Sequence, residues 1–266
     1  MTKFAISNLA FKNHSIGDAL GFLKNNGIDG LEIAPSLIWE DPKNISKKEI
    51  TAFKHLVSSN GLQVIALQSL LYGKPELQLF SSFKIQKNFL DHLKKMIDLC
   101  VDLGGRSISF GSPNNRSKGE LQLDKAISIA SPLFRELAEY AKLVNITVCI
   151  EPVSTLYNCD FINNTKECIQ LIETVQHPNF KLLLDIGTLI SNQEEFTEII
   201  ETYIHYIAHI HINDPQLFPP SNKRREHASI ANTLRLKNYS NWLTLEFMHS
   251  YRTLKQDIIY GVACYR

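Results

Sequence analysis

The sequence lacks the patterns of a disulfide-rich, membrane-spanning or polyanion-binding protein. Its five cysteines are odd in number and form no CxxC pair, which argues against a disulfide framework and a zinc cage. No stretch approaches the roughly 20 apolar residues that a bilayer span needs, and the N-terminus has no long apolar run. Lysine and arginine total 28 against 27 acidic residues, so the net charge favours neither nucleic acid nor an acidic membrane. We therefore expect a cytoplasmic protein that binds neither nucleic acid nor a membrane.

The composition is that of an ordinary globular chain. Of the 266 residues, 44% are hydrophobic and 21% are charged, which is enough to bury a sizeable core. Alpha/beta barrels of this length commonly form one domain, so we expect a single domain spanning residues 1–266.

Short apolar runs alternate with longer amphipathic runs from end to end. This rhythm is typical of parallel strands joined by crossover helices. It predicts eight strands, at 4–9, 30–34, 63–68, 107–110, 147–151, 181–185, 208–213 and 242–247. It predicts helices near 16–26, 46–60, 82–103, 122–144, 165–176, 193–206, 226–237 and 250–262. Ser15, Ser46 and Thr165 are candidate helix caps, and Ser46 has capping-box spacing to Glu49.

Eight strands alternating with eight helices predict an α/β fold, either a closed (β/α)8 TIM barrel or an open doubly wound sheet. The strand count favours the barrel. An open sheet would be better supported by a glycine-rich phosphate loop after the first strand, and residues 8–13 contain no glycine.

Four polar side chains end apolar strands in the second half of the chain. They are Glu151, Asp185, His211 and Glu246, separated by 34, 26 and 35 residues, each about one β/α repeat. Equivalent positions on four consecutive strands converge at the barrel mouth. Any one of these residues alone is more often a helix cap or a surface ion pair, but the set predicts a common site.

Three carboxylates brought together in this way require a cation. An oxygen-rich set with one imidazole suits Mn²⁺, Mg²⁺ or Co²⁺ and tolerates Zn²⁺. We therefore predict one divalent metal ion held by Glu151, Asp185, His211 and Glu246. His209 shares a face with His211 but lies one layer deeper, so we expect it to be a hydrogen-bonded core residue rather than a ligand.

Five short motifs in this order resemble those of a known family. The chain is similar to the xylose isomerase-like TIM barrels, a sugar isomerase/epimerase superfamily that includes ketose 3-epimerases and, more distantly, apurinic endonucleases. The resemblance covers nearly the whole chain and rests on residues 30–34, 150–152, 184–187, 209–214 and 245–247.

The resemblance implies a sugar or sugar phosphate isomerase or epimerase. In the epimerases, the glutamates after strands five and eight bind the metal and also move protons, which implies catalytic roles for Glu151 and Glu246. The metal would chelate a carbonyl and its neighbouring hydroxyl and stabilise an enediolate. Proton return to the opposite face gives epimerisation, and transfer between adjacent carbons gives isomerisation.

Two positions depart from the family pattern. Thr188 stands where a substrate-contacting histidine is common, and residues 216–220 lack the arginine that often follows the strand-seven histidine. We expect Thr188, together with Glu32 and Gln68 at the barrel mouth, to contact substrate hydroxyls.

A basic stretch offers a second kind of substrate contact. Arg116, together with Lys223, Arg224 and Arg225, could hold a phosphate or carboxylate, although a solvated basic loop is the commoner explanation. Trp39, Tyr72 and Phe110 could wall the pocket or simply pack. His227 is interpreted as a helix cap or a surface residue.

Other functions remain open from the sequence. A metal-dependent dehydratase or lyase acting on a polyol would use the same metal and bases. An apurinic endonuclease needs extra histidines, and Gln68, Phe110 and Thr188 stand at those positions. A non-catalytic sugar-binding barrel is the third alternative. Members of the family often form homodimers, so a homodimer also remains open.

Overall fold

The computed structural model describes residues 2–12, 16–221, 225–248 and 253–266. Within these ranges, parallel strands pair in chain order, and the first strand also pairs with the last, which closes a barrel. Closure confirms the predicted (β/α)8 barrel and excludes the open sheet. The strands are β1 Lys3–Ser7, β2 Gly30–Ile33, β3 Gln63–Leu67, β4 Ser107–Phe110, β5 Thr147–Ile150, β6 Phe180–Asp185, β7 Ile207–Ile212 and β8 Trp242–Leu245.

Helices surround the barrel, as expected when each crossover packs back onto the sheet. In the described part of the chain they are α1 Ile16–Leu23, α2 Lys47–Ser59, α3 Phe83–Leu103, α4 Leu123–Leu143, α5 Thr165–Val175, α6 Ile186–Asn192, α7 Phe196–Tyr203, α8 Arg225–Leu236 and α9 Leu254–Tyr265. No helix in these ranges is both long enough and apolar enough to cross a membrane.

The helix predicted at 193–206 is present as the shorter α7, but the helix that precedes it, α6, was not predicted. A seven-residue helix, α6, begins immediately after Asp185, and α7 follows it. The Asp185 carboxylate caps α6 by accepting a hydrogen bond from the backbone N–H of Thr188 at 2.6 Å. Because this cap satisfies a first-turn donor, the helix can start at the end of the strand without a polar linker.

The predicted caps have mixed outcomes. Ser46 and Glu49 form the reciprocal bonds of a capping box at the start of α2, as predicted. Thr165 is not the cap of α5, because Asn164 takes that role by accepting a hydrogen bond from Glu167 N–H. Ser15 lies outside the described residues.

Strand residues that face away from the barrel axis build the apolar layer beneath the helices. Phe110 is fully buried there, with its ring edge-on to Phe89 at 5.9 Å and Phe134 at 5.3 Å. It packs against α3 and α4 rather than walling a pocket. Trp39 packs edge-on against Phe53, and Tyr72 is exposed.

Candidate metal centre

The four predicted ligands come together at the carboxyl ends of strands β5 to β8. One ligand atom from each of Glu151, Asp185, His211 and Glu246 lies within 4.8 Å of the others. Nδ1 of His211 is 2.9 Å from Oε2 of Glu246 and 3.8 Å from Oε1 of Glu151. The side chains are inside the mouth but not sealed, since those of Glu151 and Glu246 are 17% and 10% exposed.

The barrel register explains this convergence. Asp185 on β6 pairs with His211 on β7, so the two side chains leave the sheet at the same height. Glu151 and Glu246 directly follow β5 and β8, and each is placed by a backbone hydrogen bond from its N–H to the neighbouring strand. Parallel strands with matched ends thus bring four distant residues to one point.

A second polar layer supports His211 from below. Oε2 of Glu32 lies 2.8 Å from Nε2 of His209 and 3.0 Å from Nε2 of His211, and Oε1 accepts a hydrogen bond from Ser109. Burial opposes ionisation of Glu32, but the adjacent imidazoles of His209 and His211 hold its pKa well below the usual value. The ionised carboxylate therefore accepts from both Nε2–H groups, which turns Nδ1 of His211 toward the upper cluster.

These contacts bear on two predictions about the lower layer. His209 is 1% exposed and is also 3.0 Å from the Thr244 hydroxyl, so the predicted hydrogen-bonded core position is confirmed. Glu32, predicted to contact substrate, is fully buried and bonds to protein groups in this structure, and its contact with substrate remains a prediction. In this structure both carboxylate oxygens of Glu32 form hydrogen bonds with protein groups. The bond to Nε2 of His211 fixes the orientation of that ring.

Asp185 is held by groups from two elements. Oδ1 accepts from Thr188 N–H, and Oδ2 accepts from the Asn213 side-chain amide at 2.8 Å. Burial, followed by the nearby carboxylates of Glu151 and Glu246, raises the pKa of Asp185 to about 7. The carboxylate is thus well oriented but carries an unfavourable charge, the condition that a bound cation relieves.

The charge balance around His211 and Glu246 follows the same logic. Burial raises the pKa of Glu246, although the His211 imidazole acts in the opposite direction. Burial also disfavours the charged form of His211, but Glu246 and Glu32 prevail and raise its pKa well above the usual value.

The residues present fit a divalent cation. Nδ1 of His211 is buried and forms no hydrogen bond of acceptable geometry with any residue in the described ranges, despite its short distance to Glu246. A buried polar atom without such a bond is unusual, and it faces the same space as three carboxylates. Three oxygen donors and one imidazole nitrogen suit Mn²⁺, Mg²⁺ or Co²⁺ and tolerate Zn²⁺.

Two glycines make room for the ligands. A Cβ atom at Gly111 would collide with Oε2 of Glu151. A Cβ atom at Gly187 would lie 2.7 Å from Oδ1 of Asn213 and 2.9 Å from the carbonyl oxygen of Asp214. Gly187 N–H also donates to Oδ1 of Asn213 at 2.7 Å, so the close approach is part of the support for Asp185.

Arg116, predicted to hold an anionic substrate group, is fully buried. Both of its terminal nitrogens donate to the backbone carbonyl of Glu151 at 2.9 Å. Further bonds run to the carbonyl of Ile162 and the sulfur of Cys159. In this structure the guanidinium fixes the peptide that carries Glu151, and its contact with substrate remains a prediction.

The remaining predicted substrate contacts are buried close to the mouth. Gln68 is 2% exposed and donates to the Ser7 hydroxyl, while its own Oε1 has no partner among the described residues. Thr188 is 3% exposed and contributes its backbone N–H to Asp185. Direct contact of either side chain with substrate remains a prediction.

The basic stretch lies only partly within the described residues. Lys223 and Arg224 fall outside them. Arg225 is the exposed first residue of α8 rather than part of a loop.

The interpretation of His227 as a cap or surface residue is wrong. It is 1% exposed, with Nε2 at 2.8 Å from Asp214 and Nδ1 at 2.7 Å from the Tyr265 hydroxyl. The pair of bonds ties α8 to α9 and to the segment after β7. His227 can be buried because both of its ring nitrogens form hydrogen bonds.

Sequence reasoning missed Asn213 and the role of Arg116 in holding the backbone of Glu151. Asn213 could have been found, because strand alternation puts it on the same face as His209 and His211. Arg116 follows β4 in an irregular segment, where spacing carries little information about which way a side chain points.

Comparison with known proteins agrees with this architecture. Residues 20–265 match the family described as xylose isomerase-like TIM barrel. The chain is 26% identical over 228 residues to the D-psicose 3-epimerase of Ruminiclostridium cellulolyticum, covering 83% of this chain and 74% of that protein.

Two solved structures have the same fold. A structure of L-ribulose 3-epimerase superposes with a TM-score of 0.80 at 18% identity, covering 99% of this chain and 93% of that one. A family 2 AP endonuclease from Brucella melitensis also gives 0.80, at 17% identity and 99% coverage of both chains. At such low identity these likenesses show the fold alone. The family match over residues 20–265 shows more, and the chain belongs to the xylose isomerase-like TIM barrel family.

Proposed function

We propose that this protein is a divalent-metal-dependent sugar epimerase or isomerase that works by proton transfer at a carbon next to a carbonyl. The observation that carries the proposal is the convergence of Glu151 and Glu246 on one point with Asp185 and His211. The similarity to a D-psicose 3-epimerase supports a ketose as the substrate.

The metal would be held by Glu151, Asp185, His211 and Glu246, with Mn²⁺, Mg²⁺ or Co²⁺ favoured over Zn²⁺. When bound, a divalent ion supplies Lewis-acid polarisation of a carbonyl and its neighbouring hydroxyl, which acidifies the adjacent C–H bond.

Glu151 and Glu246 are the proton-transfer groups. They follow β5 and β8, so their carboxylates reach the mouth from different directions, as removal and return of a proton on opposite faces require. One carboxylate takes the proton from the carbon, and the other delivers a proton to the opposite face. Burial raises the pKa of Glu246, which favours the protonated form that a proton donor must reach.

The supporting residues keep this geometry fixed. Arg116 holds the backbone of Glu151, while Glu32 orients His211. Thr188 N–H and Asn213 orient Asp185. Preorganisation of this kind lowers the cost of reaching the reactive arrangement.

Deuterium exchange from D₂O into a ketose tests the proposal. The Mn²⁺-loaded protein is incubated with D-fructose and, separately, with D-psicose, and deuterium at C3 and the formation of the C3 epimer are followed by NMR. We expect exchange in the wild type and a fall of at least about 100-fold in Glu246→Gln and Glu151→Gln. Glu198→Gln on the exposed side of α7 is the matched control and should exchange normally.

Product analysis separates the alternatives. Loss of water from the sugar, detected by mass spectrometry, would indicate the dehydratase. Binding of a sugar with no exchange at any carbon would indicate a non-catalytic sugar-binding barrel and would contradict the proposed function.

A further inference from the structure

Tyr157 reaches over the mouth from the segment after β5. It ends a short 3-10 turn, Thr155–Tyr157, and its side chain is half-buried. Its hydroxyl accepts a hydrogen bond of 2.7 Å from the backbone N–H of Gln216, which belongs to the segment after β7. This contact therefore connects the segments after β5 and β7 past the end of the intervening strand, β6, which ends at Asp185.

Further hydrogen bonds fix the two segments that the Tyr157–Gln216 bond connects. Tyr157 N–H bonds to the carbonyl of Ser154, and the Asn163 side chain ties the carbonyls of Val153 and Cys159 together. These bonds fix the backbone on either side of Tyr157.

On the other side, Gln216 and Leu217 have positive φ values of 64° and 56°. Left-handed backbone at two successive non-glycine residues is costly and persists only where surrounding contacts impose it. Here a bond from Asp214 N–H to Phe218 closes the turn, and Met248 N–H binds the carbonyl of Leu217. This conformation turns the Gln216 N–H toward the tyrosine.

The phenol has a hydrogen left to donate. A tyrosine hydroxyl can accept one bond and still donate one. Gln216 supplies the accepted bond, and the hydroxyl donates no hydrogen bond to any of the described residues. Burial, and then the charges of Asp185, Glu246 and Glu151, raise the pKa of Tyr157 to about 12, so the hydrogen is retained at neutral pH.

We propose that Tyr157 is a substrate-binding residue that donates its phenolic hydrogen to an uncharged oxygen of the sugar next to the reacting carbons. This assignment rests on the proposed function. The surrounding carboxylates favour a hydroxyl or carbonyl oxygen at this point over a phosphate or carboxylate group. Tyr157 would thereby fix the orientation of the sugar relative to Glu151 and Glu246.

Tyr157→Phe tests the assignment, because it removes the hydroxyl and keeps the ring. With Mn²⁺-loaded protein and D-fructose as the probe, we expect kcat/KM for exchange at C3 to fall by roughly tenfold or more. The affinity for Mn²⁺ should stay at the wild-type value, and the Tm should fall by no more than about 5 °C, because Gln216 N–H loses one hydrogen bond. Tyr140→Phe removes a hydroxyl bonded to Asp98 on the outer helices and should change none of these quantities.

The outcomes separate this assignment from the proposed function. Unchanged kcat/KM in Tyr157→Phe would overturn the assignment, as would a loss matched by weaker Mn²⁺ binding. If the wild type exchanges no deuterium, the proposed function fails. The assignment of Tyr157 is then tested by calorimetric titration of both proteins with D-fructose. Weaker binding by Tyr157→Phe would support the contact, whereas equal or absent binding in both proteins would overturn it.

Discussion

Replacing Arg116 with methionine removes the guanidinium that grips the backbone of Glu151 and keeps an apolar side chain of similar length. The carbonyl of Glu151 loses the two bonds of 2.9 Å that it accepts from Arg116. The carbonyl of Ile162 loses a weaker bond of 3.4 Å but still accepts from Val153 N–H. The loss is therefore concentrated at Glu151.

The magnitude follows from two opposing effects. Bonds from a charged donor contribute about 1.5–3 kcal/mol, and a buried carbonyl left unpaired costs about 1–3 kcal/mol. Removing a fully buried positive charge offsets part of this loss. We expect the free energy of unfolding to fall by roughly 2–4 kcal/mol, which corresponds to a fall in Tm of roughly 5–15 °C.

The loss of activity should be comparable in free energy to the loss of stability. Without the guanidinium, the backbone of Glu151 loses the hydrogen bonds that fix it. Displacement of a reacting group by about 1 Å costs on the order of 100-fold in rate. We expect a loss of this order in kcat/KM for deuterium exchange and weaker Mn²⁺ binding, both measured below the Tm of the variant. Arg116→Lys keeps the positive charge but lacks the two parallel guanidinium N–H donors. It should therefore recover only part of the lost kcat/KM and Mn²⁺ affinity.

Arg135→Met provides the matched control. Arg135 also donates to backbone carbonyls, those of Val175 and Thr174, but it is exposed and lies on α4 away from the mouth. It should cost about 1 kcal/mol of stability and leave Mn²⁺ affinity and kcat/KM unchanged. A lower Tm in Arg116→Met with wild-type Mn²⁺ affinity and kcat/KM would refute the reasoning.

Two further predictions concern the support and charge of Asp185. Gly187→Ala should destabilise the protein by roughly 1–3 kcal/mol and weaken Mn²⁺ binding, because the new Cβ meets Asn213. Gly21→Ala in α1, where nothing lies within 4 Å, should instead stabilise by about 0.5–1 kcal/mol; equal denaturation midpoints for the two variants would contradict this. The pKa of Asp185 is raised to about 7 from 3.8, so the metal-free folded protein binds more protons than the unfolded chain between these values, and its stability should fall as pH rises through this window. Urea titrations at several pH values check the trend, and a rise in stability would refute it.

Much of the fold and the four candidate ligands could be predicted because they depend on local and periodic features. Each ligand ends an apolar run of strand length, and one β/α repeat separates it from the next. The strand ends agree with the structure within two residues. Helix α6 was missed because Asp185 both ends β6 and caps the helix. The sequence therefore shows no polar linker between the strand and the helix.

The supporting roles of Arg116 and Glu32 could not be predicted because their partners are distant in sequence. Arg116 binds a carbonyl 35 residues away, and Glu32 binds an imidazole 179 residues away. Polar side chains near strand ends were therefore interpreted as substrate contacts alone, whereas in the structure Arg116 and Glu32 also bind protein groups. Only the closed barrel brings these groups together.

The central claim is that Glu151, Asp185, His211 and Glu246 hold one divalent ion. Calorimetric titration of the chelator-treated protein with Mn²⁺, together with elemental analysis, tests it most directly. We predict about one ion per chain in the wild type and in His205→Asn, an exposed control, and lost or greatly weakened binding in His211→Asn of matched circular dichroism. Absence of binding in the wild type, or unchanged stoichiometry and affinity in His211→Asn, would contradict the account.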